Sequence, residues 1–323
     1  MGVPKKIRRA SNPVGVCLED AFNKFIIEKE ALQRSAATVE SYQKSYQRFL
    51  QSFEGEIDGD TFLCSELTED TIFEWMAALK SDGIRPQSIN HYLRDMRTFV
   101  NWCKKKEYIT GKFNVQLTKT QEELPKDYSK EEMDLLLRKP IHKDEFVEWR
   151  MWAIVNFIYA TGAREDTICN LAVGTVDLKS KRIVYTHTKN KKPQVIPISN
   201  ALASVLREYI KMWRSDARAS DYLFCSISGE KLSGNAIRKA YATYSHKRGV
   251  DKTSLHGIRH TFAREWILAD GSPFKLQKLL GHSTLDMTKN YVKLYGNDLS
   301  EDINEFNPLD KAKKKYERTK KVR

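Results

Sequence analysis

Four short stretches in the second half of the sequence hold the side chains with the most chemistry. They are Arg164, then Lys189, then His256 with Arg259 three residues on, then His282 with Tyr291 nine residues on. As residue types these suffice to break a phosphodiester without a metal. A phosphoryl group in flight spreads negative charge over its non-bridging oxygens, so cleavage depends on positioning and on positive charge already in place. Arg164 and Arg259 suit that clamp, because a guanidinium stays protonated and donates two parallel hydrogen bonds. Histidines add directional donors, a lysine can protonate the departing oxygen, and a tyrosine can attack and hold the phosphate covalently. No acidic cluster is spaced like a two-metal nuclease site. Taken singly, each residue has a plainer explanation: salt-bridge arginines, a capping or core histidine, a solvated turn lysine, an amphipathic tyrosine.

The elements that must position these groups fit two domains within 323 residues. A hydrophobic content of 41% excludes wholesale disorder, and 30% charged residues with a mean hydropathy of -0.57 describe a soluble protein. No apolar run reaches the roughly 20 residues that span a bilayer, and the basic start lacks the apolar core of a secretion signal. A cytoplasmic or nucleoid location is expected. The net charge of +13 predicts attraction to a polyanion, nucleic acid or an anionic membrane surface. Five scattered cysteines read as reduced, mostly buried thiols.

Residues 1–17 read as a basic arm. Helical periodicity then begins, with Leu18, Phe22, Phe25 and Ile26 on one helix and Val39, Tyr42, Tyr46, Phe49 and Leu50 on a second after Ser35. Thr68 caps a third, and a fourth starts near Pro86, with Ile89, Leu93, Met96, Val100 and Cys103 facing a core. Its opposite stripe, Asn90, Arg94, Arg97, Asn101 and Lys104, is an ordinary solvated face by itself and a DNA-facing one beside the downstream motifs. Residues 18–108 thus form a helical DNA-binding domain and 109–127 a linker. The capping box Ser129-Lys-Glu-Glu132 opens a second domain, 128–298. There Trp149 to Ala160 must be buried, and alternation from Val176 to Ile198 predicts three short antiparallel strands with 188–193 turning between the last two. Helices follow at about 200–214, 233–248, 256–269, 273–280 and 284–294. The overall expectation is mainly α with a small antiparallel sheet. In 299–323, Leu299, Ile303 and Phe306 continue an apolar spacing from Leu294, which predicts a docking segment, in cis or in trans, ahead of a basic tail.

Together the motifs resemble the tyrosine recombinases, the phage integrase family. Ala160-Thr-Gly-Ala-Arg164 is similar to the stretch carrying the family's first catalytic arginine, and Lys189 stands where the family keeps its β-hairpin lysine. His256-Gly-Ile-Arg259-His-Thr-Phe-Ala resembles the His-x-x-Arg box, and Leu279-Leu-Gly-His282-Ser-Thr with Tyr291 resembles the closing box. The resemblance covers about 18–298 and implies a helical core-binding domain ahead of an α+β catalytic domain. It implies strand exchange through a 3′-phosphotyrosine, two protomers on each double-stranded DNA site and a tetramer in synapsis, with neither ATP nor a metal cofactor. Tyr291 is then the nucleophile, with Tyr295 its rival at the wrong spacing. His256 handles the proton at the nucleophile, His282 bonds the phosphate, and Lys189 protonates the 5′ leaving oxygen, with Lys191 and Lys192 as alternatives. His260 and Arg264 are read as structural. Two positions depart from the pattern. Thr167 stands where an acidic residue usually supports the site, leaving Asp166 or Glu165 to substitute, and Gly257 stands at an often acidic place. A type IB topoisomerase and a non-catalytic DNA-binding regulator are the competing readings.

Overall fold

The computed structural model describes residues 15–120, 127–141, 145–186, 193–282 and 284–295. It divides into two compact units between Glu123 and Leu124. Residues 1–14 of the expected basic arm 1–17, the lysines Lys189, Lys191 and Lys192, and the segment 299–323 lie outside the described residues.

The first unit holds four helices, α1 (Leu18–Ala31), α2 (Ala36–Ser52), α3 (Glu69–Ser81) and α4 (Pro86–Lys105). Their starts follow from side chains that satisfy otherwise orphaned amides. Ser35 Oγ accepts from the Thr38 amide, Thr68 Oγ1 from that of Thr71, and Pro86 opens α4 where no amide hydrogen is needed. The apolar stripes meet in an aromatic core of Phe25, Phe49, Trp75 and Phe99, and the rings of Phe22 and Tyr46 stack 3.9 Å apart. Each such phenylalanine contributes about 1.5–3 kcal/mol by leaving water.

The stretch after α4 differs from the expected linker. Ile109 and Val115 are buried in this first core, and the chain from 113 to 118 is laced back to α4 by three members of the polar stripe. Asn90, only 4% exposed, donates to the Thr118 carbonyl at 2.9 Å and accepts from the Thr118 amide at 2.8 Å. Arg97 Nε donates to the Val115 carbonyl at 2.7 Å, and Lys104 to that of Phe113. Asn90, Arg97 and Lys104 are therefore partly or wholly engaged as fasteners, whereas Arg94 and Asn101 face outward. The physical reason is that a segment without secondary structure must find donors for its buried carbonyls, and a polar helix face supplies them.

In the second unit the capping box forms as expected, Ser129 Oγ accepting from the Glu132 amide while Glu132 accepts from that of Ser129, and starts α5 (Lys130–Leu136). Helix α6 (Phe146–Thr161) is apolar nearly all round and is accordingly the buried centre of the unit. Around it stand α7 (Glu165–Cys169), α8 (Asn200–Trp213), α9 (Gly234–Lys247) and α10 (Leu255–Leu268), then α11 (Pro273–Leu280) and α12 (Asp286–Tyr295). Strands β1 (Val176–Asp177), β2 (Arg182–Tyr185) and β3 (Gln194–Pro197) form one antiparallel sheet in that order, with Ile183 opposite Ile196 and Tyr185 opposite Gln194. A separate apolar cluster of Phe262, Ala263, Ile267, Leu276, Leu280 and Tyr291 binds α10, α11 and α12 together. No described helix is long and apolar enough to cross a membrane.

Candidate active site

Two glycines at helix ends set the geometry. Helix α6 stops at Gly162 (φ 63°) and α11 at Gly281 (φ 59°), both left-handed, a conformation that disfavours any residue with a Cβ. A Cβ on Gly162 would lie 2.5 Å from Leu280 Cδ2 and 2.6 Å from Phe262 Cδ1. The carbonyls exposed at these ends point at the two arginines. Arg259, on α10 and 3% exposed, donates through Nη1 to Gly162 O at 2.5 Å and through Nη2 to Leu280 O at 3.0 Å. Arg164, the residue before α7, donates through Nη1 to Gly281 O at 3.2 Å.

His282 follows Gly281 directly and has both ring nitrogens engaged, Nε2 with Arg259 Nη2 at 3.0 Å and Nδ1 with Thr288 Oγ1 at 2.9 Å. A guanidinium has no lone pair to offer, so Nε2 must accept and the ring proton sits on Nδ1. The neutral ring agrees with a pKa held down to about 4, by desolvation first and then by the charges of Arg259 and Arg164.

Tyr291, on α12 and 7% exposed, is a buried tyrosine on which both arginine charges act. Desolvation raises its pKa above the ordinary 10.0, while the Arg259 and Arg164 charges pull the other way. Tyr295 directs its hydroxyl to Asp127 instead, at 3.4 Å. The histidine bonded to Tyr291 is not the expected one. His260 Nδ1 lies 2.7 Å from the Tyr291 hydroxyl, whereas His256, more exposed, meets His260 edge to face at 4.5 Å between ring centres. His256 makes no hydrogen bond to Tyr291 among the described residues. Its pKa is pushed down to about 4, by desolvation and then by His260, Arg259 and Arg164. The i, i+4 relation of His256 and His260 was the available signal, because residues four apart share a helix face.

Arg164, Arg259 and His282 line a cleft of about 550 Å³ that Thr167, Tyr185 and Gln194 close on the other sides. Burial lowers the pKa of both arginines, that of Arg259 to about 10. Neither acidic substitute for Thr167 turns inward. Glu165 pairs with Arg238 at 2.7 Å, and Asp166 is engaged by Asn170 on its own helix. Thr167 itself is buried against the cleft. Arg264, read as structural, donates to Asp127 and to the Tyr128 carbonyl. The cleft thus gathers side chains from the α6–α7 turn, α10 and the α11–α12 turn, with Tyr291 on α12 close to its arginines. It can hold an anion against two guanidiniums whose charges also act on the Tyr291 hydroxyl.

A family model described as Phage integrase family matches residues 127–297. Among curated relatives, the tyrosine recombinase XerC of Corynebacterium glutamicum is 23% identical over 277 residues, covering 85% of this chain and 87% of the relative. The tyrosine recombinase XerA of Pyrococcus furiosus is 28% identical over 240 residues, covering 73% and 80%. Among solved structures, the Tn1549 transposon integrase in complex with a circular intermediate DNA shares the fold, with a TM-score of 0.68, 16% identity and coverage of 91% of this chain and all of that one.

Proposed function

Because the chain belongs to the phage integrase family, we propose that it is a tyrosine-type site-specific recombinase that cuts and rejoins double-stranded DNA through a 3′-phosphotyrosine at Tyr291. The observation that supports this reading is that Arg164, Arg259 and His282 line one cationic cleft while Tyr291 feels the charges of both arginines, although the four residues are spread over more than a hundred positions. In the reaction, Tyr291 Oη attacks phosphorus, and Arg164 and Arg259 hold the non-bridging oxygens as charge builds on them. The 5′ oxygen leaves with the electron pair of the broken bond and takes a proton, which we assign to Lys189. His256 and His282 supply directional hydrogen bonds to the phosphate, His282 by moving its proton from Nδ1 to Nε2, so that Nδ1 accepts from Thr288 and Nε2 exchanges its bond to Arg259 for one donated to the incoming anion. The phosphotyrosine retains the energy of the original ester, so resealing onto a new strand needs no external energy source.

The partners follow from the same chemistry. Solved relatives include a λ integrase dimer bound to a core site and XerH bound to a difH substrate, which supports a dimer on each DNA site and a tetramer when two sites pair. Arg94 and Asn101 are the outward members of the α4 stripe and the ones we assign to DNA. A cytoplasmic, nucleoid-associated location fits this work.

The test uses a pool of nicked duplexes with randomised arms, in which a short 3′ fragment diffuses away after cleavage and traps the covalent intermediate. Protein-linked DNA on a denaturing gel is expected for the wild type and absent for Tyr291→Phe, with binding retained. Adduct at the wild-type level in that variant refutes the nucleophile assignment, and sequencing the trapped DNA reports the target site.

A further inference from the structure

We infer that His260 is the base that takes the phenolic proton of Tyr291 as the tyrosine attacks the phosphate. This rests on the recombinase reading and adds to it a residue that the motif chemistry does not require. The geometry is direct. His260 Nδ1 and Tyr291 Oη are 2.7 Å apart, a short hydrogen bond between the reacting oxygen and a group able to hold its proton. No other described histidine is bonded to that hydroxyl, and His282 has both nitrogens committed elsewhere.

The charges around His260 favour a neutral ring. Desolvation lowers its pKa, the Arg259 charge lowers it further, and the Asp127 carboxylate acts the other way. Its own helix α10 presents His256 and Arg259 to it, α12 presents Tyr291, and the chain ahead of α5 presents Asp127. Asp127 is itself tied to Arg264 and Tyr295, which moderates its pull. With Nδ1 accepting, the ring proton sits on Nε2 and the phenol donates.

In the ground state the proton stays on the tyrosine, because the phenol pKa is raised and the imidazole pKa lowered, so the two lie further apart than their ordinary values of 10.0 and 6.5. Transfer therefore accompanies bond formation. As an Oη lone pair forms the bond to phosphorus, the Oη–H bond breaks, its electrons stay on oxygen, and the proton passes to the Nδ1 lone pair to give an imidazolium. The P–O5′ bond breaks, and its electron pair leaves with the 5′ oxygen, protonated by a separate donor. On resealing, the 5′ hydroxyl attacks phosphorus and returns its proton to that separate donor, the P–Oη bond breaks, and the departing Tyr291 oxygen recovers the proton from His260, so one group serves both directions.

The discriminating variant is His260→Asn, whose side-chain carbonyl can accept the hydrogen bond near the place of Nδ1 but cannot carry off a proton. Single-turnover cleavage is measured against pH on a nicked duplex recovered from the trapped pool, with DNA binding as a control for folding. The wild-type rate should fall as pH drops below the imidazole range. In His260→Asn the rate at neutral pH should be lower by about 10²–10⁴-fold, with the acid limb replaced by a rise with pH. The defect should persist on a 5′-bridging phosphorothiolate, whose thiolate needs no proton, whereas Lys189→Ala should recover on it. A second readout needs no variant: ¹⁵N NMR of the DNA-free wild type should show His260 neutral, with Nδ1 unprotonated. A His260→Asn rate and pH profile equal to wild type, rescue of that variant by the phosphorothiolate, or a protonated Nδ1 each overturn the role. A wild type that traps no DNA overturns the recombinase reading itself, and the role falls with it.

Discussion

Replacing Gly162 with alanine tests whether the end of α6 is built to hold Arg259. Two costs add. The left-handed backbone at φ 63° disfavours a Cβ by about 1–2 kcal/mol. The new methyl would also lie 2.5 Å from Leu280 and 2.6 Å from Phe262, an overpacking cost of about 1–3 kcal/mol in a cluster that joins three helices. Gly249 is the matched control: it follows α9 at φ 72°, and a Cβ there meets nothing within 4 Å, so only the backbone cost of about 1–2 kcal/mol applies. In a unit of this size each kcal/mol lowers the midpoint by about 2–4 °C. Gly162→Ala should therefore lower the midpoint of the second unit by roughly 4–20 °C, and Gly249→Ala by roughly 2–8 °C. Calorimetry on the full chain reads the shifts. The covalent trap reads the second consequence, a loss of adduct in Gly162→Ala at temperatures where it stays folded, because the carbonyl that accepts from Arg259 must move. Equal midpoint shifts for the two variants, or full adduct formation by a destabilised Gly162→Ala, would refute the reasoning.

The α4 stripe should separate into two behaviours. Arg94→Gln should weaken DNA binding and shallow its salt dependence without moving the unfolding midpoint, whereas Arg97→Gln should destabilise the first unit by freeing the Val115 carbonyl. Wild-type affinity should drop on the order of 10³-fold or more between about 50 and about 200 mM salt if some six phosphates are neutralised, and a flat titration would contradict a phosphate-dominated interface. His282 should make stability depend on acid pH. Its folded pKa of about 4 lies below the ordinary 6.5, so between these values the unfolded chain binds more protons and stability falls as pH drops through that window. His282→Gln should reduce the slope there in denaturant titrations run at several pH values, and an unchanged slope would assign the dependence to other groups.

Much of the molecule was legible because its signals are local. Ser35, Thr68 and Ser129 announce helix starts by side chains that reach only three residues along the chain, and the run of β-branched and aromatic residues Ile183, Val184 and Tyr185 needs no tertiary knowledge. Helix α7 escaped because five residues are too few to show a period. The fastening of 113–118 escaped because Asn90, Arg97 and Lys104 have the same helical spacing whether they meet water, phosphate or a carbonyl, and the choice depends on chain that follows many residues later. At the cleft, the motif spacings brought Arg164, Arg259, His282 and Tyr291 into view together. The spacing of His256 and His260 puts both on one helix face, but which of them meets Tyr291 depends on how α10, α11 and α12 pack through Phe262, Ala263 and Leu276, a relation that spans 31 residues.

The carbonyls of Gly162, Leu280 and Gly281 that orient the two arginines all belong to helix C-termini, where aligned peptide dipoles leave about half a negative charge. A carboxylate in that place would be neutralised by acid and would loosen its arginine as it did so. A peptide dipole takes up no proton at any pH a folded protein survives. The backbone anchors of the two arginines therefore do not titrate in the acid range, and the contact of Arg259 that does is the one to His282 Nε2. A pH profile of cleavage in this protein would accordingly report the imidazoles, the hold of His282 on Arg259 among them, without the loosening that a carboxylate-anchored arginine would add.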